Sequence, residues 1–180
     1  MADGSSGLVG QRELVLITED DWESQRDIRT AALADAPDMF GSTLADALGF
    51  DEQDWRRGIR ATTCWQLRQA GMPVGMVRLS VREGGADCDR VVPAAPGRTA
   101  YLISMFVAPE ARGTGAGEQL VATVAAEAKR LGYQQLWLDV AKHNEAAARL
   151  YTRTGFRWAE SDGASRHDDR HCELSMVLDL

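Results

Sequence analysis

Cysteine and histidine are scarce in this chain, at three each in 180 residues. Cys64, Cys88 and Cys172 lie far apart and no CxxC pair occurs. His143, His167 and His171 lack a second ligand type at zinc spacing, apart from the adjacent His171–Cys172. Neither a disulfide framework nor a structural zinc is expected to organise the fold, and no metal is expected. No apolar run approaches the roughly 20 residues of a membrane span, and the opening MADGSSGLVG has no apolar h-region. Positive charge is the minority sign: 20 Lys and Arg against 27 Asp and Glu leave a net charge of −7, which argues against a nucleic-acid surface. The same charge serves solubility and mildly favours a cationic small molecule or peptide as partner. The expectation is a cytoplasmic protein with no membrane and no nucleic-acid partner. Residues 1–12 are expected to be a flexible N-terminus and 13–180 one domain, a length that can bury a sizeable core.

What the chain does contain is alternation of strand and helix patterns. ELVLI (13–17) reads as a short strand. A helix follows from Thr18, an N-cap with acids in its first turn, and Pro37 ends it. Residues 43–62 hold one or two more helical pieces, with Gly49 and Gly58 as weak points. TCWQLRQ and PVGMVRLSVRE read as an antiparallel hairpin around AGMP. The glycine- and proline-bearing stretch 84–98 reads as a long loop, and TAYLISMFV as a strand buried in a sheet centre. From Ala116, residues Leu120, Val121, Val124, Ala125, Ala128 and Leu131 keep helical spacing up to Gly132. QQLWLDV is a strand, and NEAAARLYTRTG a helix capped by Asn144 and stopped by Gly155. FRWAE and HCELSMVLDL are strands around the polar loop 161–170. The class is α/β (α+β), a single domain with a mixed central sheet of about six to seven strands and about four flanking helices.

Between the buried strand and the long helix lies ARGTGAGEQ. Glycine inside a helix costs roughly 0.5–1 kcal/mol relative to alanine, so Gly113, Gly115 and Gly117 at a helix start need a reason. The first amides of a helix have no internal partner and sit at the positive end of the macrodipole, which suits an anion, most often a phosphate. A Walker loop requires Gly-Lys-Ser/Thr, which is missing, and a dinucleotide loop requires GxGxxG, where this chain has GxGxG. A coenzyme A pyrophosphate loop and a plain tight turn into the helix both remain.

The residues Arg112-Gly113-Thr114-Gly115-Ala116-Gly117 resemble the R/Q-x-x-G-x-G/A signature of the GNAT superfamily of N-acetyltransferases, preceded as in that family by an apolar strand ending FVAPEAR. Further on, NEAAARLYTRTGFR is similar to the family's N-x-x-A-x-x-x-Y-x-x-x-G-F segment through Asn144, Ala147, Tyr151, Gly155 and Phe156. The specific motifs occupy 101–156, and the element order matches over roughly 14–180. DAPDMFGST also looks like a segment that precedes the second helix in some small-molecule acetylating members.

The resemblance implies acetyl-CoA as acyl-donor cosubstrate. The backbone around Met105, Phe106 and Val107 would hydrogen-bond the pantetheine like an added strand, and the amides of Arg112, Gly113, Thr114, Gly115, Ala116 and Gly117 would hold the pyrophosphate, with Arg112 adding charge. Asn144 would bond the pantetheine or the cofactor tail, or cap its own helix, or both, and Ala147 belongs to the same cofactor-side segment. Tyr151 would be the general acid that protonates the leaving thiolate; its other reading is a packed core aromatic. A backbone N–H near Val107 would stabilise the oxyanion. The usual acidic strand position is not acidic here, which leaves Glu83, Asp139, Asp168 or a water relay through Ser104 as the base, and His143 reads as a surface residue. The implied reaction is direct acetyl transfer to a primary amine of a small molecule, an antibiotic or a metabolite. A protein N-terminal or lysine acetyltransferase and a non-catalytic acyl-CoA-binding sensor remain as alternatives, and a homodimer stays open.

Overall fold

The computed structural model describes residues 12–81, 98–159, 167–168 and 171–180. The strands are β1 (Arg12–Leu16), β2 (Thr63–Gln69), β3 (Met72–Ser80), β4 (Thr99–Val107), β5 (Gln135–Ala141), β6 (Arg157–Trp158), β7 (His167–Asp168) and β8 (His171–Asp179). The helices are α1 (Trp22–Asp35), α2 (Leu44–Leu48), α3 (Glu52–Arg60), α4 (Ala116–Arg130) and α5 (Glu145–Arg153). The main sheet runs β1-β2-β3-β4-β5-β8-β6, with the two-residue β7 pairing to β8 off that path. Every pairing is antiparallel except β4 with β5. The α/β class and the mixed seven-strand sheet agree with the expectation. No helix among the described residues is long and apolar enough to cross a membrane.

Local chemistry explains most element boundaries. The β2–β3 hairpin closes on Ala70 and Gly71, whose φ angles of 51° and 79° are the positive pair that a two-residue type I′ turn needs. Thr18 caps a short 3₁₀ turn, Glu19–Asp21, and α1 starts only at Trp22. Residues 43–62 form two helices because they carry two N-caps, Thr43 with Asp46 and Asp51 with Asp54, each a reciprocal capping box. That split brings the α-helices among the described residues to five where about four were expected. The expected loop 84–98 lies outside the described residues except for Arg98, and of the loop 161–170 only His167 and Asp168 are described, in β7. The expected flexible N-terminus also lies outside the described residues apart from Arg12, which begins β1.

Both faces of the sheet are covered. On one, Leu120, Val121, Val124 and Ala128 of α4 meet Leu67, Val77, Leu79, Ala100, Leu102, Leu136 and Leu138. Full burial of such side chains contributes roughly 1.5–3 kcal/mol each. On the other, Ile28 and Ala32 of α1 meet Met76 and Phe106, and Leu33, Ala47 and Trp55 join the first three helices. The buried amides of Gln25 and Gln66 bond each other at 3.2 Å, and Ser24 donates to Gln66 at 2.9 Å, which ties α1 to β2 without an orphaned polar group at that pair.

β4 carries a bulge that matters for the site. Its pairing with β3 slips between Met76↔Phe106 and Arg78↔Ile103, and Ser104 has φ 53°. Before the bulge Ala100 and Leu102 face α4; after it Met105 and Val107 do, while Phe106 turns to α1. A non-glycine residue in the left-handed region costs roughly 1–3 kcal/mol, most for β-branched side chains. Ser104→Val should therefore lower Tm by several degrees in a calorimetric scan, roughly 2–4 °C per kcal/mol for a chain of this size. Ser104→Gly should leave Tm nearly unchanged, because relief of strain offsets the added backbone entropy. An unaffected valine variant would show that the bulge bears no strain.

Candidate active site

β4 and β5 pair only through Thr99↔Gln135, Ala100↔Leu136 and Tyr101↔Trp137. Beyond that point each follows its outer neighbour: β4 stays with β3 as far as Val107↔Gly75, and β5 with β8 as far as Ala141↔Glu173. Two parallel strands thus diverge in the middle of the sheet and leave facing backbone edges without partners in each other. Ala108 N–H donates to the Val74 carbonyl at 2.9 Å. Hydrogen-bonding direction alternates along an antiparallel strand, so Phe106 is also turned to β3, whereas Met105 and Val107 present their backbone to the opening. Phe106, buried with Ile28, Ala32 and Met76, seals the floor on the α1 side.

The loop after β4 reaches the start of α4 at the mouth of this opening. Gly113 and Gly115 have φ of 72° and 84°, and a Cβ on either would meet nothing within 4 Å: backbone conformation, not crowding, selects glycine there. Gly117 has a different reason, since a Cβ would lie 2.9 Å from Leu150 Cδ2, where α4 passes close against α5. The amides of Gly113, Thr114, Gly115, Ala116 and Gly117 have no hydrogen-bond partner among the described residues. The carbonyl side is occupied: Thr114 Oγ1 donates to Ala111 at 2.6 Å, and Arg12 Nη2 donates to Thr114 at 2.9 Å. Five unpaired donors on one short stretch at a helix N-terminus form an anion cradle, and they fit a pyrophosphate. The Arg112 side chain bonds the Val107 carbonyl through Nε at 3.0 Å and pairs with Asp35, so in this state it does not aim at the cradle.

α5 supplies the other wall. Asn144 caps it by accepting the Ala147 N–H at 3.1 Å, which realises the capping role and spends the Ala147 amide. The Asn144 side-chain amide group has no partner among the described residues. Ala147 packs against the α4-side core. Tyr151, seven positions after Asn144 and hence about two turns on, shares its helix face. It is buried in the same core, its ring 5.7 Å from that of Phe156. Burial pushes its phenol well above the ordinary tyrosine value, so it holds its proton at every physiological pH.

Among the base candidates, Asp139 lies on β5 and accepts the Ser175 hydroxyl at 2.9 Å across the β5–β8 pair. The side chains of Glu83 and Asp168 lie outside the described residues. His143 is exposed beside the α5 cap. Ser104 sits at the bulge where β4 leaves β5. The turn 37–39, after α1, lies against β5.

Two features escaped sequence reasoning. The Asp35–Arg112 pair joins residues 77 apart with no local signal, and the Gly117–Leu150 approach looks, in sequence, like one more glycine of a loop.

Comparison with known proteins adds an independent line. The sequence pattern of the Acetyltransferase (GNAT) family matches residues 25–156. A mycothiol acetyltransferase of Thermobispora bispora is 30% identical over 141 residues, 77% of this chain and 44% of that protein, so the chain spans less than half the length of this relative. Among solved structures, a GNAT-family acetyltransferase from Streptococcus pneumoniae superposes with a TM-score of 0.72 at 14% identity, covering 94% of this chain and all of the other. A Salmonella typhimurium acetyltransferase solved with its cofactor acetyl-CoA gives 0.70 at 16% identity, covering 94% of each chain. At such identities these two structures speak for the fold.

Proposed function

Because the chain belongs to the acetyltransferase (GNAT) family, we propose that it transfers an acetyl group from acetyl-CoA to a primary amine of a small molecule by direct attack. The observation that carries this reading is the divergence of β4 and β5 with five unpartnered amides at its mouth. One extended ligand can lie as an extra strand against Met105 and Val107 and end with its anionic part on the 113–117 loop.

Acetyl-CoA supplies the activated thioester; the chain's own residues do the rest. The Val107 N–H, turned to the opening, donates to the carbonyl oxygen as negative charge develops there, and losing a donor of this kind typically costs roughly 10²–10³ in rate. Tyr151 gives its proton to the departing thiolate. Burial keeps the phenol protonated, so the proton is in place when the thiolate departs. Asp139 is the described carboxylate on β5 suited to take the proton of the incoming ammonium, directly or through water.

The name of the Thermobispora relative, a mycothiol acetyltransferase, supports a small-molecule acceptor over a protein one. A panel of small amines, aminoglycoside-like compounds and peptides, assayed for free-thiol release from acetyl-CoA, tests the reading. Turnover is expected with small amines. Turnover confined to peptides would reassign the acceptor, and binding of acetyl-CoA without turnover of any acceptor would favour a sensor.

A further inference from the structure

We infer that Asp35, acting through Arg112, is a positioning residue that holds the 113–117 loop in the shape that receives a pyrophosphate, with Arg12 holding the same loop from its other end. The inference rests on the loop being the pyrophosphate site of the proposed function.

Residues 112–115 are exposed, two of them are glycines with positive φ, and nothing would pack against a Cβ on either glycine. Packing therefore does not set the loop's shape. Hydrogen bonds do: the Arg112 amide, expected among the pyrophosphate donors, is spent on the Pro109 carbonyl at 3.2 Å, and the others engage the loop's side chains and carbonyls. Arg112 reaches back to the Val107 carbonyl at 3.0 Å and to Asp35, its guanidinium carbon 6.0 Å from the centre of the Phe106 ring. Thr114 ties down the Ala111 carbonyl at 2.6 Å, and Arg12 ties down the Thr114 carbonyl at 2.9 Å. With the Ala111 and Thr114 carbonyls held, the loop has its shape before any ligand arrives, so less ordering has to accompany binding.

The placement of Asp35 is itself informative. It is the last residue of α1, where a carboxylate meets the negative end of the macrodipole, and the last turn of α1 holds no basic residue. Such a carboxylate gains nothing from its own helix, and Arg112 is the cation it meets. The arrangement opposes the simpler view of Arg112 as a free charge for phosphate. Asp35 neutralises that charge and turns the guanidinium into a bracket between β4, α1 and the loop.

Two ligands separate the possibilities: coenzyme A, which carries the pyrophosphate, and pantetheine, which does not. Calorimetric titration of the full chain and of Asp35→Asn, Arg112→Lys and Arg12→Met should show coenzyme A binding weakened roughly tenfold in each variant, the loss that accompanies about 1.4 kcal/mol, and pantetheine binding unchanged. Arg112→Lys keeps the charge and loses the fork that bridges Val107 and Asp35, so its failure to rescue is part of the expectation. Tighter coenzyme A binding in Asp35→Asn would overturn the inference, since Asp35 would then be a competitor for Arg112. Unchanged coenzyme A binding, or equal weakening for both ligands, would overturn it as well. If the unaltered chain binds coenzyme A no better than pantetheine, the pyrophosphate reading of the loop falls first and takes this inference with it.

Discussion

Tyr151→Phe should lower kcat by roughly 10¹–10³ and leave the affinity for acetyl-CoA and the melting temperature close to those of the unaltered chain. The phenylalanine keeps the ring and its 5.7 Å contact with Phe156. Only the hydroxyl is lost, and it has no hydrogen-bond partner among the described residues, so its removal orphans no buried group. The buried phenol is shifted upward from its ordinary value, which places its ionisation above the working range. The loss in rate should therefore be constant across neutral and mildly alkaline pH instead of appearing as a shifted limb of the profile. Tyr151→Ala is the contrasting variant: it empties an aromatic site in the α4-side core, and a loss of roughly 3–5 kcal/mol of stability is expected. Steady-state kinetics and thermal melts on the two variants separate chemistry from packing. A phenylalanine variant with most of its turnover intact would remove Tyr151 from the mechanism and leave water to protonate the thiolate.

Gly115→Asp should abolish the rise in melting temperature that acetyl-CoA gives the unaltered chain. At saturating ligand that rise reflects a stabilisation of RT ln(1 + [L]/Kd), about 2.7 kcal/mol at a hundredfold excess over Kd. Aspartate is among the few residues that tolerate a positive φ, so the 84° at Gly115 can be kept at modest cost. Open space surrounds the new Cβ, and the carboxylate then stands beside the five free amides where an anion would lie. It can occupy those donors itself and repel a pyrophosphate. Gly115→Asn has nearly the same shape without the charge and should retain part of the shift. A full shift in the aspartate variant would show that the loop does not meet the phosphates.

Much of this architecture was legible in the sequence because local chemistry decides it. β2 and β4 begin and end at the residues expected: β2 runs up to the turn at Ala70 and Gly71, and β4 is a largely apolar run that stops before Pro109. The α5 cap was readable from Asn144, and the α4 apolar face from its spacing. The bulge at Ser104 was not, because β4 is covered on both faces and an apolar run without alternation cannot reveal a skipped step. Nor was the divergence of β4 from β5, which depends on how far each strand follows its outer neighbour. The role expected of the Arg112 side chain changed for a related reason: its partner, Asp35, is brought near only by the packing of α1 on the sheet. Of the three loop glycines, sequence could not separate the two that need a left-handed backbone from the one that makes room for Leu150.

The bulge also bears on how this chain can vary. A strand with two covered faces is a wave of period two, and an inserted residue shifts that wave by half a period. In β4 the shift falls between Leu102 and Met105, so both halves of the strand feed side chains to the same helix, while the hydrogen-bonding direction of the second half is set independently of the first. Position 104 thus acts as a phase adjuster through its bulged backbone conformation. Exchange of one apolar residue for another along 99–107 changes only local fit, and a one-residue deletion at 104 would leave Met105 and Val107 against α4 by plain alternation, whereas straightening the bulge with residue 104 in place would put Met105 and Val107 against α1 and Phe106 against α4, inverting half a strand at once. The backbone conformation at residue 104 therefore decides which face the second half of the strand shows, a larger consequence than its small side chain suggests.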